Sequence, residues 1–282
     1  MKRAALLVLA AALIGAVAHP AHPPPSQAEP AAPAGPAARG FGVGLVTTGS
    51  QYPWRRRVRR AERFAAHRLG RVSFAVVGEH GRLRGHRSHR RFRSASVVKV
   101  MTAYLRRASV RNRGLRGADR ALLGPMIRRS DNTAATIIRD TVGNHALVRL
   151  ARAAGMRDFS PHVVWGLTAI SAHDQARFMR RLQRFVPGRH RAYAFRLLAT
   201  VVSYQRWGIP PARLRGWRLY FKGGWVPAAG GWRVNQVAQL RHGRRGLGVA
   251  VLTDGNPSLP YGARTITGVV RRLLGGYGAP AR

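Results

Sequence analysis

The segment Arg55 to Leu69, with Val58, Phe64 and Leu69 among its apolar positions and arginines covering the remainder, reads as an amphipathic helix. The pattern then changes to a β-rich run, Arg71 to Val77, bounded by Gly78. After the turn Glu79-His80-Gly81, Leu83 to Phe92 continues as the predicted hairpin partner. A helix is predicted to open at Ser96, and others to span Ala118 to Arg128, Asn132 to Val142 and His145 to Ala154, each ending near glycine or a turn residue. Ser171-Ala172-His173-Asp174 has the form of a capping box for a helix reaching about Phe185, and Arg191 to Val202 is a further helix. Three β-rich segments separated by glycine turns follow, Trp217 to Lys222, Arg233 to Leu240 and Leu247 to Thr253, before a last helix from Tyr261 to Leu274. Strands at both ends of the chain flank a helical middle, which is an α+β order.

The first residues have a different character. Lys2 and Arg3 precede an apolar run from Ala4 to Ala18 that ends in Ala16-Val17-Ala18, so residues 1–18 are expected to be a secretory signal peptide with a small-residue cleavage site. That run is shorter than the roughly 20 residues of a membrane-spanning helix, and no second apolar stretch follows, so no transmembrane domain is expected in the mature chain. Residues 19–40 are rich in Pro and Ala without apolar periodicity and read as an extended linker. Residues 41–282 contain no further linker or internal repeat and are expected to form one domain. With no cysteine anywhere, disulfides are excluded, and an exported fold must rely on its core alone.

The composition singles out two residues. Of 50 lysines and arginines only Lys2, Lys99 and Lys222 are lysine. A guanidinium cannot lose its proton in a protein, whereas a desolvated ammonium can, so lysine retained in an arginine-saturated chain points to acid–base chemistry. Lys99 closes Ser96-Val97-Val98-Lys99, Lys222 opens Lys222-Gly223-Gly224, and Ser130-Asp131-Asn132 lies between them. Together they form the parts list of a serine acyl-transfer site. Each motif alone is weak, and their order and spacing carry the weight.

That order resembles the penicillin-recognising serine hydrolases, the superfamily of class A β-lactamases and penicillin-binding transpeptidases and carboxypeptidases, over a stretch from about Tyr52 to Leu274. The resemblance implies an antiparallel sheet of about five strands from both chain ends, flanked by helices, with an inserted helical lobe and the site at their junction. It implies that Ser96 is the nucleophile, at a helix N-terminus, with Lys99 one turn along as general base. Ser130 would pass a proton to the leaving nitrogen, and Asn132 would hold the substrate amide while contacting Lys99. Lys222 would hold Ser130 and attract a substrate carboxylate. Gly223 and Gly224 would let substrate lie along the strand edge, and the N–H groups of Ser96 and Trp225 would form the oxyanion hole. Asp131 is expected to cap its own helix.

Two departures qualify the implied activity. Gly223 stands where the family usually has Thr or Ser. The loop glutamate that releases the acyl group in class A enzymes is also missing, because the only glutamates, Glu29, Glu62 and Glu79, all precede Ser96. Asp158, His162, His173 and Asp174 are the candidate substitutes nearest that loop. The expected function is a β-lactamase-like serine hydrolase, acylated by a β-lactam or a D-Ala-D-Ala-like substrate and slow to deacylate. A D-alanyl-D-alanine carboxypeptidase or other wall amidase or esterase is the alternative, and a catalytically silent polyanion-binding module is the third. Histidines are scattered, and neither metal-ligand spacing nor a glycine-rich nucleotide loop is present, so no cofactor and no metal are expected. Losing Lys2 and Arg3 with the leader takes the formal charge from +41 to +39. The arginines are spread through helices and strands, so anionic wall polymers are the expected partner outside the bacterial cell, in preference to specific nucleic acid.

Overall fold

The computed structural model describes residues 52–99 and 101–278. The predicted leader, residues 1–18, and linker, residues 19–40, lie outside the described residues. In chain order the first elements are α1 (Trp54–Ala66), β1 (Arg71–Val77), β2 (Leu83–His86), β3 (Arg91–Arg93), a 3-10 turn (Ala95–Val98), α2 (Met101–Leu105), α3 (Ala108–Arg111), α4 (Gly117–Arg128) and α5 (Asn132–Ala153). After a second 3-10 turn (Trp165–Leu167) come β4 (Ala169–Ser171), α6 (Ala172–Arg180), α7 (Leu182–Phe185), α8 (Arg191–Ala199), β5 (Arg218–Ala228), β6 (Gly231–His242), β7 (Arg245–Asn256) and α9 (Leu259–Leu274).

The main sheet is antiparallel with strand order β2-β1-β7-β6-β5, so the two ends of the chain meet at the β1–β7 pairing. Alternation along each strand divides its residues between two cores. Phe74, Val76, Phe221, Val234 and Val251 face the layer of α1 and α9. Ala75, Val77, Val237, Ala250 and Leu252 face α6 and the helical lobe of α2 to α5 and α8. Each large apolar side chain buried this way contributes about 1.5–3 kcal/mol against the entropy of ordering the chain. The same alternation turns Lys222, Gly224 and Asn235 toward the lobe, where the polar groups of the site collect.

Helix α5 contains the backbone break anticipated between Val142 and His145, with Gly143 at φ 68° separating its halves. Three expectations need correction. The second strand stops at His86, because the chain turns through Arg87 (φ 47°) and an Arg90 N–H to Arg87 carbonyl bond. The remainder, Arg91–Arg93, pairs with β4 in a separate two-stranded sheet. The helix expected to run to Phe185 ends at Arg180, where Arg181 (φ −112°, ψ 14°) leaves helical geometry. Most consequentially, Ser96 does not open an α-helix. It lies in the single turn Ala95–Val98, and Lys99, at φ −44° and ψ 117°, terminates that turn.

Helix α6 sits directly on the sheet at Gly248, where an added Cβ would lie 2.1 Å from the Ala176 carbonyl oxygen and 2.6 Å from Arg180 N. Both contacts are to backbone, which cannot rotate away. Gly248→Ala is therefore expected to destabilise the fold by about 2 kcal/mol or more, as overpacked cores do. Gly117→Ala, at a helix start with open space around it, is expected to be neutral or mildly stabilising. Urea midpoints of the two variants check the contrast, and equal midpoints would contradict it.

Candidate active site

The site is assembled where the Ser96 turn, the start of α5 and the edge strand β5 converge. Ala95 adopts φ 46° immediately before Ser96, and Ser130 adopts φ 62° immediately before the capping residue of α5, so two non-glycine residues occupy the left-handed region within one cleft. Strain of this kind, of order 1–3 kcal/mol each, persists only where surrounding contacts impose it. At Ser130 the helix that follows supplies one: Asp131 caps α5 by accepting from the Ala134 N–H at 2.7 Å. Gly224 meets the other turn. A Cβ at that position would lie 2.6 Å from Ser96 N and 2.9 Å from the Ser94 carbonyl oxygen, so only glycine lets β5 approach the turn this closely.

The Ser130-Asp131-Asn132 segment bridges the two lysines. Lys222 Nζ donates to Ser130 Oγ at 3.0 Å and to the Gly223 carbonyl at 2.8 Å. Lys99 Nζ donates to the Asp131 carbonyl at 3.0 Å and to Asn132 Oδ1 at 2.8 Å, not to the Ser96 hydroxyl. Lys99, Lys222 and Ser96 are all buried, with 8%, 4% and 9% of their surface exposed. Burial, reinforced by the Lys222 charge and opposed by Asp131, pushes Lys99 down to about 6. Burial likewise lowers Lys222 to about 7. At neutral pH Lys99 is mainly an amine, whose two N–H groups match its two acceptors and whose lone pair is free to take a proton.

Several residues at the site were not singled out from sequence. Asn235, fully buried on β6, donates to the carbonyls of Arg93 (2.9 Å) and Ser94 (3.4 Å) and accepts from the Thr253 N–H, tying the approach to Ser96 onto the sheet. Trp207 covers Gly223 and stands edge to face with Trp225, ring centroids 5.6 Å apart. Trp165 lies with its ring centroid 4.1 Å from Lys99 Nζ and donates its indole N–H to Thr136 Oγ1 at 3.2 Å.

The four candidate substitutes for a loop glutamate are engaged elsewhere. His162 Nδ1 accepts from the Val164 N–H, and Asp174 accepts from the Asp158 N–H at 2.7 Å. Asp158 pairs with His89 Nδ1 at 2.8 Å. His173 approaches Asp174 through Nδ1 while Arg177 Nε donates to its Nε2. The fold thus gathers histidines that look scattered in sequence: among the described residues, donor atoms of His89, Asp158 and His173 lie within 4.8 Å of one another. With Arg177 on the one ring and a carboxylate on the other, they form a self-contained hydrogen-bonded group.

The lowered value of Lys99 has a consequence for stability. Between about 6 and the ordinary 10.5 the unfolded chain holds a proton that the folded chain has shed, so the stability associated with Lys99 rises with pH across that window and is lost as pH falls toward 6. Lys99→Met is expected to stabilise the protein, and by more at pH 6 than at pH 9, with a slope of up to about 1.4 kcal/mol per pH unit. Urea unfolding at the two pH values checks this, and a gain independent of pH would contradict it.

Comparison with known proteins places this architecture. The beta-lactamase from Sphaerobacter thermophilus superposes with a TM-score of 0.68 at 24% identity, covering 82% of this chain and 100% of that one. The class A beta-lactamase from Mycobacterium abscessus gives 0.67 at 21% identity, covering 79% and 100%. The beta-lactamase from Desulfarculus baarsii gives 0.65 at 22% identity, covering 79% and 97%. At these identities the structures establish the fold. No curated protein matches the chain. The family model described as the beta-lactamase enzyme family matches residues 112–277, more than half of the sequence, and takes in Ser130-Asp131-Asn132 and Lys222-Gly223-Gly224. By that match and by its α+β fold, the chain belongs to the beta-lactamase enzyme family.

Proposed function

We propose that the protein is an exported serine hydrolase that is acylated at Ser96 by a β-lactam or a D-Ala-D-Ala-like amide and releases the acyl group slowly. The observation that carries this is the pair of buried lysines, Lys99 mainly unprotonated near neutrality and Lys222 still partly charged, joined through Ser130-Asp131-Asn132. Lys99 takes the Ser96 hydroxyl proton as Oγ attacks the carbonyl carbon. The oxyanion that forms is held by the N–H groups of Ser96 and Trp225. As the C–N bond breaks, Ser130 passes a proton to the departing nitrogen, and Lys222, hydrogen-bonded to Ser130, helps replace it. Asn132 holds the substrate amide, Lys222 attracts its carboxylate, and Gly223 and Gly224 leave the edge of β5 clear. Lys99 Nζ, which here donates to Asp131 and Asn132, comes onto the Ser96 hydroxyl in the complex, since catalytic hydrogen bonds often form only once substrate binds.

Slow release follows from the commitments of the acidic groups. Between the second and third motifs Asp140 pairs with Arg139, Asp158 with His89, and the Asp174 carboxylate accepts from the Asp158 N–H and lies against His173, so each carboxylate of that stretch is already engaged. The same observation favours a wall carboxypeptidase or esterase as a second reading, because acylation by a wall peptide needs no such glutamate. An extracytoplasmic, wall-associated setting is part of the proposal, supported by the leader-like residues 1–18 and the charge of +41. Among the described residues no helix is long and apolar enough to cross a membrane.

Mixing the mature protein with benzylpenicillin and following intact mass is expected to show one covalent adduct, lost in Ser96→Ala. An adduct that persists in that variant would overturn the assignment. The acylation rate constant is expected to rise with pH through about 6, as Lys99 sheds its proton, and to fall above about 7, as Lys222 loses the charge that attracts the carboxylate. A rate unchanged from pH 5 to 9 would contradict the roles of both lysines.

A further inference from the structure

The turn that carries Trp165 is fastened to the turn that carries Ser96. Ser94 N–H donates to the Thr168 carbonyl at 2.9 Å, and Arg93 Nη1 donates to the Leu167 carbonyl at 2.8 Å. The Ser94 hydroxyl lies 3.4 Å from the carbonyls of both Trp165 and Gly166, while β3 and β4 pair immediately alongside. At its far end the Trp165 ring is anchored to α5 by its N–H to Thr136 Oγ1, one turn beyond Asn132. The half-buried indole therefore spans from the nucleophile turn to α5, and Lys99 Nζ lies beneath it at 4.1 Å.

Hydrolysis of an ester on Ser96 needs a water that reaches the acyl carbon while a base takes its proton. With the neighbouring carboxylates committed elsewhere, Lys99 is the base at hand. In that step the water oxygen bonds to the acyl carbon, the bond from that carbon to Ser96 Oγ breaks, and the proton moves from water to Lys99 Nζ and on to the departing Oγ. The indole face, 4.1 Å from Lys99 Nζ, covers one side of the amine and keeps water off that side.

We infer that Trp165 is a water-excluding positioning residue, whose indole, held by Thr136, shields Lys99 in the acyl-enzyme and so sets the lifetime of the ester. This rests on acylation at Ser96 as proposed above. It adds that slow release is actively maintained by a named side chain and does not follow from a missing glutamate alone.

The test separates formation of the acyl-enzyme from its decay. The mature protein and its Trp165→Ala, Trp165→Phe and Thr136→Val variants are labelled with a fluorescent penicillin, freed of excess reagent, and followed for loss of label. Trp165→Ala is expected to shorten the lifetime at least tenfold, with decay accelerating as pH rises through about 6, the signature of Lys99 acting on water. Trp165→Phe, which keeps an apolar cover, is expected to stay within about threefold of the parent. Thr136→Val alters an exposed residue and frees the indole, so it is expected to shorten the lifetime by a smaller factor and keeps the inference testable should Trp165→Ala fold poorly. A role confined to folding would reduce labelling without changing the decay of what is labelled. Equal lifetimes across labelled variants would overturn the role of Trp165 and leave acylation standing. No label on the parent would overturn acylation at Ser96 and the inference with it.

Discussion

Two amines buried in one cleft, with the charge of Lys222 making that of Lys99 harder to keep, are the constraint on which the site depends. A lysine in water holds its proton far above neutrality. Here burial and the nearby Lys222 charge bring Lys99 to about 6 against the pull of Asp131, and burial brings Lys222 to about 7. Arginine cannot answer the same pressure by deprotonating, which accounts for two lysines in a chain otherwise saturated with arginine. The cost falls on stability, and the fold meets it with acceptors placed for each N–H: the Asp131 carbonyl and Asn132 Oδ1 for one lysine, the Gly223 carbonyl and Ser130 Oγ for the other.

The remainder of the structure holds that pair in register. Ser130 bends into the left-handed region so that one short segment faces both amines, and Asp131 immediately turns the chain into α5. On the other side Gly224 lets the edge strand touch the Ser96 turn, and Asn235 ties the same turn to the middle of the sheet. The short loop carrying Trp165 closes the third side. Cores on both faces of the sheet hold the elements that carry these pieces.

The architecture was legible because it rests on periodicity. Strand and helix patterns at Arg71 to Val77, Ala118 to Arg128 and Tyr261 to Leu274 reappear with ends shifted by two residues or fewer. What was not legible is set by tertiary contacts. Nothing local reveals that Arg87 turns the chain away from β2, or that the turn at Ser96 stops before becoming a helix. The members of the three motifs could be named from order and spacing, and the resemblance supplied the Lys99–Asn132 and Lys222–Ser130 contacts, but not that Lys99 would donate to the Asp131 carbonyl in place of the Ser96 hydroxyl. Asn235 left a faint signal, since Asn235-Gln236 interrupts the apolar alternation of β6 with two polar residues, one of which must face inward. Trp165 left less, because a search of that loop for a carboxylate passes over an indole doing a different task.

The scarcity of lysine makes the central claim directly measurable. With the leader removed, the sequence retains only Lys99 and Lys222, so protein labelled with 13C at lysine Cε is expected to give two resonances that can be titrated individually by NMR. Both are expected to shift between about pH 6 and 7, and in Lys222→Ala the remaining Lys99 signal is expected to titrate higher than in the parent, because a repelling charge has gone. Two signals that stay in the ammonium position until pH 10 would contradict the account, for a lysine that keeps its proton cannot draw one from Ser96.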